Sequence, residues 1–194
     1  MAQEIEIEFK NLLLKNEFMN LIKHFKIEES EFIHQENHYL DTRDFQLRNM
    51  KSALRIRNKE NTFTLTLKTP LEEGLLETHQ SLSAQETIDL LEQNVFPDGE
   101  VKDMLLKLGL SIPSLRHFGS LITNRAEIGF NDGLLVLDKS SYFNKVDYEL
   151  EYEVQDYKLG KKNFLDLLNE LGIPQRETEN KIMRFYREKV RNQV

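Results

Sequence analysis

Two segments of the chain carry acidic side chains at every second position, a spacing that could serve metal or phosphate chemistry. Side chains at i, i+2 and i+4 of a β-strand point to the same face. A strand over Glu4–Lys10 therefore gathers charged residues on one face and Ile5, Ile7 and Phe9 on the other, and a later strand repeats the pattern. The charged positions of these two strands are Glu4, Glu6, Glu8 and Lys10 and then Asp147, Glu149, Glu151 and Glu153.

Two other segments carry basic side chains in the same alternating way. The stretch Ser-Ala-Leu-Arg-Ile-Arg-Asn places Arg55 and Arg57 on one face, opposite Leu54 and Ile56. The next segment, TFTLTLKT, aligns Lys68 with three threonines. Guanidinium and ammonium groups grouped in this way suit the binding of phosphate oxygens.

The ordinary interpretation of such strands is a solvated sheet, with its apolar face on a core and its charged face in water. Acidic and basic strands occur here in blocks, however, and eight strands are enough to curl into a barrel-like sheet. If helices cover the apolar side, charged groups line the interior, where isolated charges are costly. A polyphosphate with Mg²⁺ or Mn²⁺ would satisfy both signs of charge.

The elements that would position these residues are mainly strands joined by hairpins, which makes the sheet antiparallel. The predicted fold class is α+β, one large antiparallel sheet with helices around it. Eight strands are predicted over 4–10, 32–42, 52–58, 62–69, 75–82, 117–130, 133–142 and 146–154. Helices are predicted over 12–25, after a capping box that begins at Ser83, over 101–108, over 161–171, and from a cap at Thr178 to about Val190.

Composition limits the remaining function classes. The 194 residues carry 26 Lys and Arg against 33 Asp and Glu, a net charge of −7, which disfavours nucleic-acid and anionic-membrane partners. No run approaches 18 apolar residues, so no membrane span is predicted. The absence of Cys excludes a disulfide framework, a thiolate metal site and a cysteine nucleophile. The acidic start differs from a secretory signal, and we expect a cytoplasmic protein with one domain over 1–194.

Several segments together resemble one protein family in the same order along the chain. Glu6-Ile-Glu8-Phe-Lys10 is similar to the E-x-E-x-K signature of the CYTH domain, whose members are also called triphosphate tunnel metalloenzymes. E-x-E-x-K alone is a weak signal, whereas eight ordered segments are specific. The other similar segments are HYLDT at 38–42, ALRIR at 53–57, LKT at 67–69, TNR at 123–125, LD at 137–138, LEYE at 150–153 and NKIMR at 180–184.

The resemblance implies an eight-stranded antiparallel β-barrel, a tunnel that binds triphosphates with a divalent metal. The chain is similar to the compact form from Gram-positive bacteria, sometimes labelled "putative adenylate cyclase". It implies metal binding, with Mg or Mn, by Glu6, Glu8, Glu77, Asp138, Glu151 and Glu153. It implies triphosphate binding by Lys10, Arg55, Arg57, Lys68, Arg125, Lys181 and Arg184. The groups assigned to catalysis are Glu6, Glu8, Lys10, Arg55, Arg57 and Lys68.

The fifth predicted strand departs from the family, since several relatives carry two acids where this chain has Glu77 and His79. We interpret His79 as a partly solvated strand histidine, although its spacing would allow it to face the site with Glu77. Glu4 lies outside the signature and is expected at the tunnel mouth, and Glu149 shares the face of the matching acids. The other four histidines lack metal-ligand spacing and are interpreted as structural or exposed.

The leading hypothesis is a metal-dependent triphosphatase that releases the terminal phosphate of inorganic tripolyphosphate or another small triphosphate. Phosphoryl transfer needs positioning and charge neutralisation, and no part of it requires Cys, Ser or His. A class IV-type adenylate cyclase would use the same groups but also a base pocket, for which the sequence shows no motif. A non-catalytic polyphosphate- or nucleotide-binding module would need only the basic residues. The oligomeric state, including a homodimer, is left open.

Overall fold

The structure, a computed structural model, describes residues 3–192. Within that range it contains eight strands and six α-helices. The strands are β1 (Gln3–Leu13), β2 (Ile33–Thr42), β3 (Ala53–Lys59), β4 (Thr62–Pro70), β5 (Leu75–Leu82), β6 (Leu115–Phe130), β7 (Gly133–Tyr142) and β8 (Lys145–Val154). The helices are α1 (Lys15–Phe25), α2 (Gln46–Asn49), α3 (Ala84–Gln93), α4 (Glu100–Lys107), α5 (Tyr157–Glu170) and α6 (Lys181–Asn192).

The eight strands form a closed antiparallel barrel in the order β1-β5-β4-β3-β2-β6-β7-β8. Consecutive strands pair as hairpins where the sequence provides tight turns. The β3–β4 turn, for example, places both Glu60 and Asn61 at positive φ, which matches the twist of a two-residue hairpin. The predicted α+β class and the eight-stranded antiparallel β-barrel are therefore confirmed. None of the helices within residues 3–192 is long and apolar enough to cross a membrane.

The chain divides into two compact units, and the first contains Gln35–Leu121 with the start of β1 up to Ile5. Its core forms because one face of β3 and β4 is continuously apolar. Leu54, Ile56, Leu65 and Leu67 are buried there with residues of α3 and α4 and the segment after α4, namely Leu90, Val101, Leu105, Leu110 and Leu115. The opposite face of these strands is left for polar side chains.

The second unit contains Glu6–His34 and the chain from Ile122 onward. Here the apolar faces of β7 and β8 pack with α1 and α5, in a core that includes Leu135, Leu137, Leu150 and Tyr152. The first turns of helix α5 lie close to β8. A Cβ added at Gly160 would be only 2.5 Å from Val154 Cγ2, so a glycine permits this approach. Each unit therefore presents its charged strand positions on the face opposite its helices. The single domain predicted over residues 1–194 stays a prediction.

Several predicted boundaries of helices and strands are wrong. The first helix begins at Lys15 and not at Leu12, because β1 continues to Leu13, which pairs with Tyr148 and is buried in the core. Helix α5 begins at Tyr157, where the side chain of Asp156 accepts a hydrogen bond from the Leu159 amide. These ends are fixed by packing and capping that the alternating pattern does not show.

The predicted cap of the last helix is also wrong. Thr178 does not cap α6, because its hydroxyl accepts a hydrogen bond from the Leu12 amide and donates one to the Arg176 carbonyl. The carbonyl oxygen of Asn180 instead accepts hydrogen bonds from the Met183 and Arg184 amides at the start of the helix. Thr178 thus ties the segment before α6 to the end of β1.

Candidate active site

In the second unit, the register of β8 with its neighbours concentrates charge on one sheet face. Across β1 and β8, Glu8 lies directly opposite Glu153 and Lys10 opposite Glu151. Across β7 and β8, Asp138 lies opposite Glu149. Side chains paired in this way have Cβ atoms about 4.5–5.5 Å apart, and like charges so placed repel each other. A cation is therefore needed to hold this face together.

Arg125 of β6 supplies one such cation from a buried position. Its Nε lies 2.8 Å from Asp138 Oδ1 and its Nη2 lies 2.7 Å from Asp138 Oδ2, a two-pronged ion pair. The same Nη2 donates to Glu151 Oε2 at 2.7 Å. Both carboxylates are buried, so the ion pairs offset a large desolvation penalty. Asp138 keeps a pKa below its usual value, because Arg125 and Lys181 outweigh the effect of burial.

Two cations from α6 also form ion pairs with carboxylates of β7 and β8. Lys181, the first residue of the helix, donates to Asp138 and lies 3.4 Å from Glu151 Oε1. Arg184 donates to Glu149 and, at 2.9 Å, to Asp147 Oδ2. The pKa values of Lys181 and Arg184 are raised, because these carboxylates outweigh the opposing effect of burial. The structure thus brings α6 and the acidic strands together.

The negative charge of Glu153 is compensated more weakly than that of the neighbouring carboxylates. Arg125 Nη1 is 3.8 Å from Glu153 Oε1, beyond hydrogen-bond distance. Burial, together with repulsion from Glu6, Glu151 and Glu8, raises the pKa of Glu153 to about 7. Lys10 shows the reverse behaviour: burial lowers its pKa, but Glu8 and the β8 acids outweigh this and raise it overall. Because Lys10 forms an ion pair with Glu8, the excess negative charge of this face lies at Glu153.

The polar face of the first unit carries the cations Arg55, Arg57 and Lys68. Arg55 and Arg57 lie on the same face of β3, where Arg57 Nε donates to Asn37 Oδ1 at 3.3 Å. The Nε of Arg55 is buried and has no hydrogen-bond partner among the residues that the structure describes. Lys68 on β4 lies opposite Glu77 on β5 and forms an ion pair with it. These groups can donate hydrogen bonds to an anion.

His79 is partly solvated, as predicted, but it also belongs to a cluster. Its Nε2 lies 3.0 Å from Glu4 Oε1 and 3.2 Å from Glu77 Oε2. Glu4 is largely exposed, in keeping with a position near an opening, whereas Glu77 is buried. Glu77 is thus placed with His79, Glu4 and Lys68 of its own unit.

The other histidines lie apart from these charged faces. His34 Nδ1 contacts Asn124 Oδ1 at 3.3 Å, and His38 Nδ1 lies 2.7 Å from Ser120 Oγ. The ring of His38 also packs against that of His117, and His24 packs against Phe25. Burial lowers the pKa of His38. The interpretation of these four residues as structural or exposed is consistent with these contacts.

The family model described as "CYTH domain" matches residues 4–186. The chain belongs to the CYTH domain family. It is 52% identical over 189 residues to the Bacillus subtilis (strain 168) protein named "Putative triphosphatase YjbK", covering 97% of this chain and 98% of that protein.

Two solved structures are also similar. The crystal structure of a "putative adenylate cyclase" from Bacillus halodurans has a TM-score of 0.93 and 49% identity, covering 96% of this chain and all of that one. A Hippeastrum protein, HpAC1, described as a "putative adenylyl cyclase" that "reveals a dominant" triphosphatase activity, has a TM-score of 0.79 and 22% identity. Coverage there is 95% of this chain and 96% of that one, and at this identity the likeness concerns the fold.

One of the segments that resemble the CYTH family, HYLDT at 38–42, has a structural role. Asp41 of HYLDT is buried, and its carboxylate accepts hydrogen bonds from the amides of Thr42, Leu47 and Arg48. This carboxylate anchors α2, a four-residue helix that the sequence analysis did not predict. An aspartate just before a short polar loop was the available signal, because such side chains commonly accept backbone hydrogen bonds.

Two acidic residues of β8, Asp147 and Glu149, lie outside the segment LEYE that resembles the family. Glu149 is 1% exposed, and its Oε1 is buried with no hydrogen-bond partner among residues 3–192. Asp147 accepts hydrogen bonds from Arg184 and, at 2.5 Å, from the Tyr142 hydroxyl. Both residues share the face of Glu151 and Glu153, as the alternation of the sequence predicts.

Proposed function

We propose that this CYTH protein is a divalent-metal-dependent triphosphatase that releases the terminal phosphate of a small triphosphate. The observation that carries the proposal is the charge of the second unit's polar face. Seven carboxylates there accompany four cations, Lys10, Arg125, Lys181 and Arg184. The carboxylates are Glu6, Glu8, Asp138, Asp147, Glu149, Glu151 and Glu153. The name of the Bacillus subtilis relative supports the same activity.

The residues present fit a hard divalent cation. Carboxylate oxygens are the ligands preferred by Mg²⁺ and Mn²⁺. Glu8 and Glu153 face each other across β1 and β8, and the orphaned Oε1 of Glu149 offers a further buried acceptor. We assign metal binding to Glu6, Glu8, Glu151 and Glu153, with Asp138 and Glu149 beside them. The choice between Mg²⁺ and Mn²⁺ is part of the proposal.

The lysines and arginines named in the sequence analysis are proposed to bind the triphosphate. Arg55 has a buried Nε donor with no partner among the described residues, which a phosphate oxygen would satisfy. Arg57 and Lys68 share its polar face. Lys10, Arg125, Lys181 and Arg184 would exchange carboxylate partners for phosphate oxygens, because guanidinium and ammonium groups bind both kinds of oxygen.

Catalysis in this proposal is positioning and charge neutralisation. A bound divalent ion would polarise the terminal phosphoryl group and lower the pKa of a water molecule. The arginines and lysines would hold the phosphates in line with that water and offset the charge that develops on the equatorial oxygens. No covalent intermediate on the protein is required.

We propose inorganic tripolyphosphate as the leading substrate, since no base-reading group is identified among the site residues. Purified protein should be incubated with tripolyphosphate or ATP, with Mn²⁺, Mg²⁺ or EDTA, and followed by phosphorus NMR. Orthophosphate with pyrophosphate, or orthophosphate with ADP, is the expected outcome, and EDTA should abolish it. Pyrophosphate with cyclic AMP from ATP would replace the proposal with a cyclase.

A matched pair of variants separates the site from the fold. Glu8→Gln removes one proposed ligand, whereas Glu127→Gln removes an exposed carboxylate of β6. Turnover by Glu127→Gln should equal that of the parent protein, and Glu8→Gln should be nearly inactive. Binding without any turnover in the parent protein would favour the non-catalytic module.

A cytoplasmic location is also proposed, supported by the absence of cysteine.

A further inference from the structure

Three potential metal ligands converge on the polar face of the first unit. Glu4 comes from β1, and Glu77 and His79 come from β5. One ligand atom from each lies within 4.8 Å of the other two. This group contains a nitrogen donor as well as oxygens, so its chemistry differs from that of the all-carboxylate set in the second unit.

The imidazole of His79 is oriented by Thr66, which is not one of the three candidate ligands. Thr66 lies directly opposite His79 across β4 and β5, and its Oγ1 is 3.0 Å from His79 Nδ1. When Nδ1 donates its proton to this buried hydroxyl, Nε2 carries the lone pair. That lone pair faces two carboxylates, which are themselves acceptors. A cation or a proton shared by Nε2 and the two carboxylates would satisfy these acceptors.

The spacing also matches the geometry of a bound ion. Zinc lies about 2.0–2.2 Å from imidazole nitrogen and carboxylate oxygen in tetrahedral sites, so two of its ligand atoms are roughly 3.3–3.5 Å apart. The observed Nε2 separations, 3.0 Å to Glu4 and 3.2 Å to Glu77, need little adjustment. Lys68 contacts the other oxygen of Glu77, Oε1, and holds that carboxylate in place.

We propose that Glu4, Glu77 and His79 form a separate metal site for a borderline divalent ion, with Zn²⁺ as the leading occupant and Co²⁺ as the alternative. Imidazole favours these ions over Mg²⁺ and Ca²⁺, which prefer oxygen ligands. Glu77 thereby leaves the catalytic metal set. The exposed Glu4 gives the ion access from solvent, and three protein ligands leave a position for water.

The test is Zn²⁺ titration of uniformly ¹⁵N-labelled full-length protein without substrate, observed by long-range proton–nitrogen correlation of the five histidines. The Nε2 resonance of His79, assigned from its loss in His79→Gln, should move on saturation, and the other histidines should stay unchanged. Glu4→Gln should weaken binding at least tenfold, and Thr66→Val, which removes the orienting hydroxyl, about tenfold to a hundredfold. Glu4 is exposed, so Glu4→Gln should keep the parent melting temperature.

The matched control is Glu36→Gln, since Glu36 Oε1 lies 3.8 Å from His38 Nε2 in a similar but two-membered group. It should leave Zn²⁺ binding unchanged. An unmoved His79 resonance at tenfold excess Zn²⁺, or equal affinity in Glu4→Gln and the parent protein, would overturn the proposal. In Glu8→Gln the His79 response should persist while triphosphatase turnover is lost, which keeps this site distinguishable from the proposed function.

Discussion

Glu153→Gln should stabilise the metal-free protein at alkaline pH although it removes a proposed metal ligand. The pKa of Glu153 rises from 4.5 to about 7 in the fold, chiefly through burial and then through Glu6, Glu151 and Glu8. The folded protein therefore holds this proton more tightly than the unfolded chain. Between about pH 4.5 and pH 7 the native state binds more protons, so its stability falls as pH rises through that window.

The size of the effect follows from the shift. Each pKa unit corresponds to about 1.36 kcal/mol, which gives about 3 kcal/mol for charging Glu153 in the fold. The side chain is 31% exposed, and solvent screening reduces this to about 2 kcal/mol. In a protein of this length that corresponds to a rise of about 4–8 °C in melting temperature at pH 8. At pH 5 most of the gain should be absent, because Glu153 is then protonated in the native state.

Urea denaturation in EDTA at pH 5 and pH 8 measures the difference in free energy of unfolding between Glu153→Gln and the parent protein. Glu127→Gln, at an exposed position of the same sheet, should shift stability by less than about 0.5 kcal/mol at either pH. Added Mn²⁺ should then stabilise the parent protein more than Glu153→Gln, because only the parent retains the ligand. A Glu153→Gln protein that is less stable than the parent at pH 8, or equally shifted at both pH values, would refute the reasoning.

Three further predictions concern binding and folding. Glu6→Gln and Glu8→Gln should each lower metal-dependent turnover at least about a hundredfold with an unchanged circular dichroism spectrum, and full activity at low metal would contradict the assignment. Arg55→Ala and Arg57→Ala should each weaken triphosphate binding, measured by calorimetry, by about 1.5–3 kcal/mol, and unfolded variants would make these residues structural. Asp41→Ala should lower unfolding free energy by about 2–4 kcal/mol in urea, since three amides lose their acceptor, and an unchanged midpoint would exclude the anchoring role.

The strand faces could be predicted from the sequence because alternation is a local property. Arg55 and Arg57, two residues apart, must share a face wherever β3 lies. The pairing of Glu8 with Glu153 joins positions at opposite ends of the chain, and no local pattern sets that register. The raised pKa of Glu153 comes chiefly from burial and then from Glu6, Glu151 and Glu8, so it could not be inferred from residue types.

The missed boundaries have a similar cause. Leu12 and Leu13 fit the apolar stripe of a helix as well as the end of a strand, and the contact of Leu13 with the core decides the matter. Thr178 has the residue type of a helix cap, yet its hydroxyl meets the Leu12 amide, a partner 166 positions away. Long-range contacts override local preference at both points.

The charges that make the second unit's face suitable for a metal also explain how it can fold. Seven carboxylates on one face would repel each other strongly, and buried carboxylates without partners are costly. Arg125 and Lys181 offset Asp138 and Glu151, and Arg184 offsets Glu149. Lys10 offsets Glu8, and the carboxylate with the weakest compensation is Glu153, 3.8 Å from Arg125. A proton neutralises Glu153 at low pH, since burial is the main cause of its raised pKa, and a divalent ion can neutralise it at neutral pH by displacing that proton.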